Sequence, residues 1–282
     1  MGLATMAGWG MAIFFQAIAN RKTTNFIVLF WMELFGLIIG SFYFIYNFAS
    51  FNFSLIYRYL PQIAVIALLQ IFAYLSFYKG LRKGQVSLVS SIAASWGLLT
   101  AMLGIFILKE VLKINQILAI FFIIIGIILV SVNIEDLINN KKIKLLTGVK
   151  EGLMAMFGWG TSLFLLASLT KTMGWFLPAF SFRLFLLIFL FLYMVFAKKE
   201  FVQKKSKFPL LLLLLIGVFD MGAFFTYSLG TSGSYASIVA PIGSAYTLVT
   251  IILARIFLKE KIKPSQYFGI ASILTGLIII SL

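Results

Sequence analysis

Glu33, Arg183 and Asp220 are ionisable residues placed inside long apolar stretches of the chain. At such depth a charge is costly unless it is paired or faces a wet cavity. Gln70, Tyr74 and Tyr78 are spaced i, i+4, i+8 and share one helix face, and Asp220, Phe224 and Ser228 repeat that spacing. Trp9 and Trp159 stand early in two further stretches, with Trp96 and Tyr246 in two more. A carboxylate among aromatic faces can hold an amine or quaternary ammonium group by cation–π attraction, and a buried guanidinium can meet a carboxylate. The candidate substrate contacts are therefore Glu33, Arg183, Asp220, Gln70, Trp9, Trp159, Tyr74, Tyr78, Trp96 and Tyr246. With aromatic residues at 17% of the chain, most of the 31 Phe are expected to face lipid or fill packing.

These residues are related by a repeat. Gly8-Trp9-Gly10 returns as Gly158-Trp159-Gly160, and Leu108-Lys109-Glu110 returns as Leu258-Lys259-Glu260, both shifted by 150 positions. Gln116 and Gln266, Gly126 and Gly276, Thr100 and Thr250, and Ser87 and Ser237 keep the same offset. Under it Glu33 corresponds to Arg183, and Gln70 to Asp220.

The elements that must position them are apolar runs at roughly 3–20, 26–47, 60–79, 86–108, 114–133, 147–168, 176–197, 208–229, 235–257 and 265–282. A membrane-spanning helix takes about 20 mostly apolar residues, and strands crossing a bilayer would alternate in polarity. The fold class is thus an all-α membrane protein of ten transmembrane helices. The polar stretch 133–150 divides it, giving a first five-helix repeat over 1–140 and a second over 141–282. Five helices per repeat place the second half upside down relative to the first, the inverted-repeat plan of secondary transporters. The first run starts almost at Met1 without a basic leader, so it is expected to be retained as a helix.

Composition removes several classes of chemistry. The chain has no Cys and no His, which excludes disulfides, thiolate chemistry, the usual zinc sites and imidazole relays. No cofactor and no metal are expected. A net charge of +15 would suggest nucleic acid in a soluble protein, but here the basic residues cluster between apolar runs and set orientation instead. Of the 23 Lys and Arg, eighteen follow odd-numbered spans and four follow even-numbered ones, which places both termini outside.

Taken together, the ten spans in two halves, the repeated Trp-Gly and the repeated Lys-Glu before a Gln/Gly helix resemble the drug/metabolite transporter superfamily, EamA type. The resemblance covers essentially the whole chain. It implies a multi-pass secondary transporter for small metabolites in the plasma or inner membrane, with a central cavity lined by both repeats. It also implies both termini inside, opposite to the charge count.

Within that frame, depth follows from the helical rise of about 1.5 Å per residue. Arg183 lies about 10 Å below one face and Asp220 about 18 Å below the other, so in a core about 30 Å thick they meet. An Arg183–Asp220 pair across the seventh and eighth spans is expected. The same arithmetic sets Glu33 level with neutral Gln70 and offers it no cation, so Glu33 is expected in the cavity. Glu33 and Asp220 are the candidate coupling residues, exchanging a proton for a bound ammonium. Pro241 and its counterpart Ser91 mark the fourth and ninth spans as candidate gates. Lys109-Glu110 and Lys259-Glu260 read as interfacial charges at turns, without a transport role.

The leading function is transport of an amino acid, amine or quaternary ammonium compound, with protons as a candidate partner. A phosphorylated or nucleotide-linked sugar carrier would need several converging cations. From a different class, the alternative is a channel or a non-transporting membrane scaffold, and a channel would need a continuous polar lining. An intramembrane enzyme lacks any supporting motif.

Overall fold

The computed structural model describes residues 1–20, 22–83, 89, 92–131, 148–202, 209–257, 259 and 264–281. Every regular element among them is helical: α1 (Gly2–Asn20), α2 (Asn25–Tyr46), a short turn at Phe48–Ser50, α3 (Ser54–Lys83), α4 (Trp96–Ile107), α5 (Ile114–Ser131), α6 (Val149–Met173), α7 (Phe176–Phe196), α8 (Leu210–Gly233), α9 (Ala236–Ser244), α10 (Tyr246–Phe257) and α11 (Pro264–Ser281). Among the described residues seven helical stretches are long and apolar enough to cross a membrane, with α9 and α10 counted as one. Three shorter apolar helices, Ile92–Ile107, Ile114–Leu129 and Tyr267–Ile280, join them.

Several helices outrun their apolar cores. α6 continues through Thr170 and Lys171 to Met173, past the hydropathic limit at 168, and stops where Gly174 takes φ 76°. Hydropathy reads the lipid-facing length, whereas the backbone ladder persists until a left-handed residue ends it. α3 likewise begins before Pro61, which lies within its first turns.

Packing exchanges the two halves. A Cβ at Gly8 would meet Ala223 and the Phe219 carbonyl, and one at Gly158 would meet Ala73 and the Leu69 carbonyl, the same neighbours shifted by 150. Thr250 donates its hydroxyl to the Gly10 carbonyl at 3.2 Å, and Thr100 to the Gly160 carbonyl at 2.9 Å. Gly126 and Gly276 bring α5 and α11 together in the same reciprocal way. Reciprocal contacts of this kind are the signature of a twofold relation. The Trp-Gly glycines thus serve close helix contact, as small residues do between membrane helices.

Both halves interrupt one helix at the same place. The Ser95 amide bonds the Ile92 carbonyl at 3.2 Å, and the Ala245 amide is shared between the Ile242 and Pro241 carbonyls, both at 3.2 Å. The break in the ninth span therefore falls at Ala245, between α9 and α10, and not at Pro241. The corresponding helix of the first half breaks at Ser95 and contains no proline. Ser91 lies outside the described residues.

Candidate functional site

Arg183, fully buried on α7, lies between two carboxylates. Its Nη2 donates to Asp220 Oδ2 at 2.6 Å, and its Nη1 stands 2.8 Å from Glu33 Oε2. The expected Arg183–Asp220 pair is present. The expectation that Glu33 has no cation is overturned: the counterpart of Glu33 in the other half is Arg183 itself, and the twofold relation brings the two face to face. The Phe224 ring lies 4.9 Å from the Arg183 guanidinium carbon, adding a cation–π contact. Among the described residues the triad holds two acids and one base.

A central cavity opens beside this triad. α1 contributes Trp9, Ala12, Ile13 and Gln16, spaced i, i+3, i+4, i+7 along one face. α2 contributes Met32, α3 adds Gln70, Tyr74 and Phe77, and α4 adds Trp96. From the second half come Trp159 and Leu163 on α6, Asp220 and Phe224 on α8, and Tyr246 on α10. Both halves thus form the wall. Seven of the ten contacts expected from the sequence line it: Trp9, Gln70, Tyr74, Trp96, Trp159, Asp220 and Tyr246.

The other three do not. Glu33 and Arg183 are held behind the wall by each other. Tyr78 is buried, its hydroxyl accepting from Gln16 Nε2. Gln16, Met32, Phe77, Leu163 and Phe224 line the cavity without being expected there. Gln16 is legible in the sequence, since it stands two turns from Trp9 on the same face. Met32 carries no signal beyond apolarity.

The aromatic wall is itself twofold. Trp9 meets Phe224 edge-on with ring centroids 5.2 Å apart, and Trp159 meets Tyr74 edge-on at 5.2 Å. Trp9 and Trp96 also meet at 5.4 Å and 90°. Such edge-to-face pairs fix the rings and leave the remaining faces to the cavity.

Gln70 is oriented by a chain of bonds. Ser162 donates its hydroxyl to the Trp159 carbonyl at 3.0 Å, so toward Gln70 it can only accept, and Gln70 Nε2 donates to it at 3.1 Å. Among the described residues Gln70 Oε1 is then left buried without a hydrogen-bond partner.

Glu110 has a structural role beyond that of an interfacial charge at a turn. Lys109 adopts φ 57° and the Glu110 amide turns back to the Gly104 carbonyl at 3.3 Å. This aims the Glu110 carboxylate at the start of α9, where Oε1 accepts from the Ala236 amide and Oε2 from the Ser237 amide, both at 2.9 Å. The acid caps orphan donors and faces the positive end of the helix dipole. Lys259 repeats the positive φ at 55°, while Glu260 and Ser87 lie outside the described residues.

Comparison with known proteins follows the same division into halves. The model of the EamA-like transporter family matches residues 1–132 and again 146–282. A solved crystal structure of a protein 14% identical in sequence superposes with a TM-score of 0.75, covering 99% of this chain and 96% of that chain, a likeness of fold alone. No curated protein matches the sequence.

Proposed function

Because this chain belongs to the EamA-like transporter family, and is therefore a multi-pass membrane protein of a family that carries small molecules, we propose that it moves a small amine or quaternary ammonium compound by alternating access. Ten membrane-crossing helices in two inverted repeats, 1–140 and 141–282, would form the carrier, in the plasma or inner membrane. The aromatic and polar residues of the central cavity would hold the solute.

One observation carries the choice of solute. Asp220 lines the cavity, yet its cation, Arg183, is shared with Glu33. With both acids ionised the triad carries one negative charge in excess, and a buried excess charge calls for a counter-ion. A proton on either carboxylate, or a cation in the cavity, supplies it. Competition between the two yields exchange of a proton for an ammonium, with Glu33 and Asp220 as the coupling pair. Arg183 does not line the cavity and is committed to both acids, which disfavours amino acids, phosphorylated sugars and other anions.

Purified protein in proteoliposomes should take up a labelled aromatic amine, phenethylamine, with saturable kinetics. An inside-acid pH gradient should accelerate that uptake. Asp220→Asn should remove the acceleration and most of the flux. Non-saturable flux, or full gradient response in the Asp220→Asn protein, would rule the reading out.

A further inference from the structure

The Gln70 amide narrows the solute class within the cavity just described, and this step rests on the proposed amine site. Three observations converge. Gln70 and Asp220 are repeat counterparts and both line the cavity. Ser162, its own proton given to the Trp159 carbonyl, fixes which end of the Gln70 amide points which way. The remaining Gln70 Oε1 is a buried acceptor with no partner among the described residues, although the side chain is 1% exposed.

A buried acceptor left unmade is unfavourable, and an arriving N–H donor removes that cost. A quaternary ammonium carries charge but no N–H, so it answers Asp220 and the aromatic faces while leaving Gln70 orphaned. A protonated primary amine answers all of them. We infer that Gln70 is a specificity residue that selects protonated amines bearing N–H groups over quaternary ammonium ions, with Ser162 as the residue that positions it.

A site built to hydrogen-bond a donor discriminates against an analogue lacking it, because its own polar group is then left unpaired. The selection therefore requires no clash with the extra methyl groups. It also differs from what cation–π attraction alone would give, since aromatic faces accept quaternary ions readily.

The test uses phenethylammonium and its mono-, di- and trimethylated forms, with dissociation constants measured by titration calorimetry on the whole purified protein. The parent should bind the primary ion about tenfold or more tightly than the trimethyl ion, with intermediate values between. Gln70→Met should flatten that series by weakening the primary ion while sparing the trimethyl ion. Ser162→Ala, which leaves Gln70 in place but frees its amide to turn, should compress the series in the same direction. It guards against misfolding of the first variant. Equal or tighter binding of the trimethyl ion by the parent overturns the inference while leaving the amine site standing, and so does an unchanged series in both variants. If no member binds and Asp220→Asn changes nothing, the amine site itself is wrong and the inference falls with it.

Discussion

Glu33 and Arg183 occupy equivalent positions in the two halves, and they meet each other at 2.8 Å. Residues related by a twofold that touch must lie on its axis. On the axis two identical acids or two identical bases would repel, so opposite charges there require halves that differ in sequence. The axis is also marked by Ser272, whose hydroxyl donates to the carbonyl of its own counterpart, Phe122, at 2.7 Å.

Charge balance ranks three substitutions. Arg183→Leu strands two buried carboxylates and should destabilise by about 3–5 kcal/mol. Asp220→Leu should be milder, because Arg183 keeps Glu33. Glu33→Gln should be mildest, at under about 2 kcal/mol, since a neutral Arg183–Asp220 pair remains with its hydrogen bond. Thermal unfolding in one detergent measures the order; a Glu33→Gln loss equal to that of Arg183→Leu would mean that Glu33 is the principal partner.

More of the frame than of the centre is legible in the sequence. Continuous apolar runs and the offset of 150 mark the helices and the halves, because lipid exposure and duplication both write periodic patterns. Depth arithmetic finds the Arg183–Asp220 pair, since both residues lie on consecutive helices. It fails for Glu33 because it sets that residue only against Gln70 in its own half, whereas the true partner lies across the twofold axis. Glu110 reads as a surface charge because no hydropathic signal reports a left-handed Lys109 or a helix end contributed by the other half.

Proton exchange should be visible without any membrane. Calorimetric titration of phenethylammonium in two buffers of different ionisation enthalpy should reveal proton release on binding to the parent. Glu33→Gln leaves the empty triad balanced and so removes the need for a counter-ion. In that variant binding should weaken and proton release should vanish. Undiminished release would place the exchanged proton elsewhere.

Cavity aromatics should contribute through their faces. Trp96→Leu and Trp159→Leu should each weaken phenethylammonium binding by about 0.5–2 kcal/mol, roughly twofold to thirtyfold. Trp175, which packs on Tyr43, Phe176 and Phe225 away from the cavity lining, supplies the control. Trp175→Leu should leave affinity unchanged. Equal losses at all three positions would indicate general destabilisation and no specific contact.

The position of the helix break predicts what its proline does not do. Pro241 lacks a backbone N–H inside α9, whereas the interruption lies at Ala245 and recurs at proline-free Ser95. Pro241→Ala restores a donor in a helix interior and should raise thermal stability. Counterflow rates should remain close to the parent's, because the tightened i→i−3 turn survives. A large rate loss would return the gate to the proline itself.

Glu110 should hold one end of the carrier shut. Its two oxygens satisfy the first two amides of α9 across a separation of 126 and 127 residues, so this cap ties the loop after α4 to the opening turn of the other half's broken helix. Losing such a cap costs about 0.5–2 kcal/mol. Glu110→Ala should therefore lower the unfolding midpoint, and it should also let the start of α9 move away from the loop. The chain has no cysteine, which makes a single introduced thiol a clean reporter. Ser237 is fully buried at that turn. Ser237→Cys should react slowly with maleimide, and the Glu110→Ala/Ser237→Cys protein should react several times faster. Glu110→Gln retains one neutral acceptor and should fall between them. Identical labelling rates in all three proteins would show that Glu110 stabilises the helix end without closing anything.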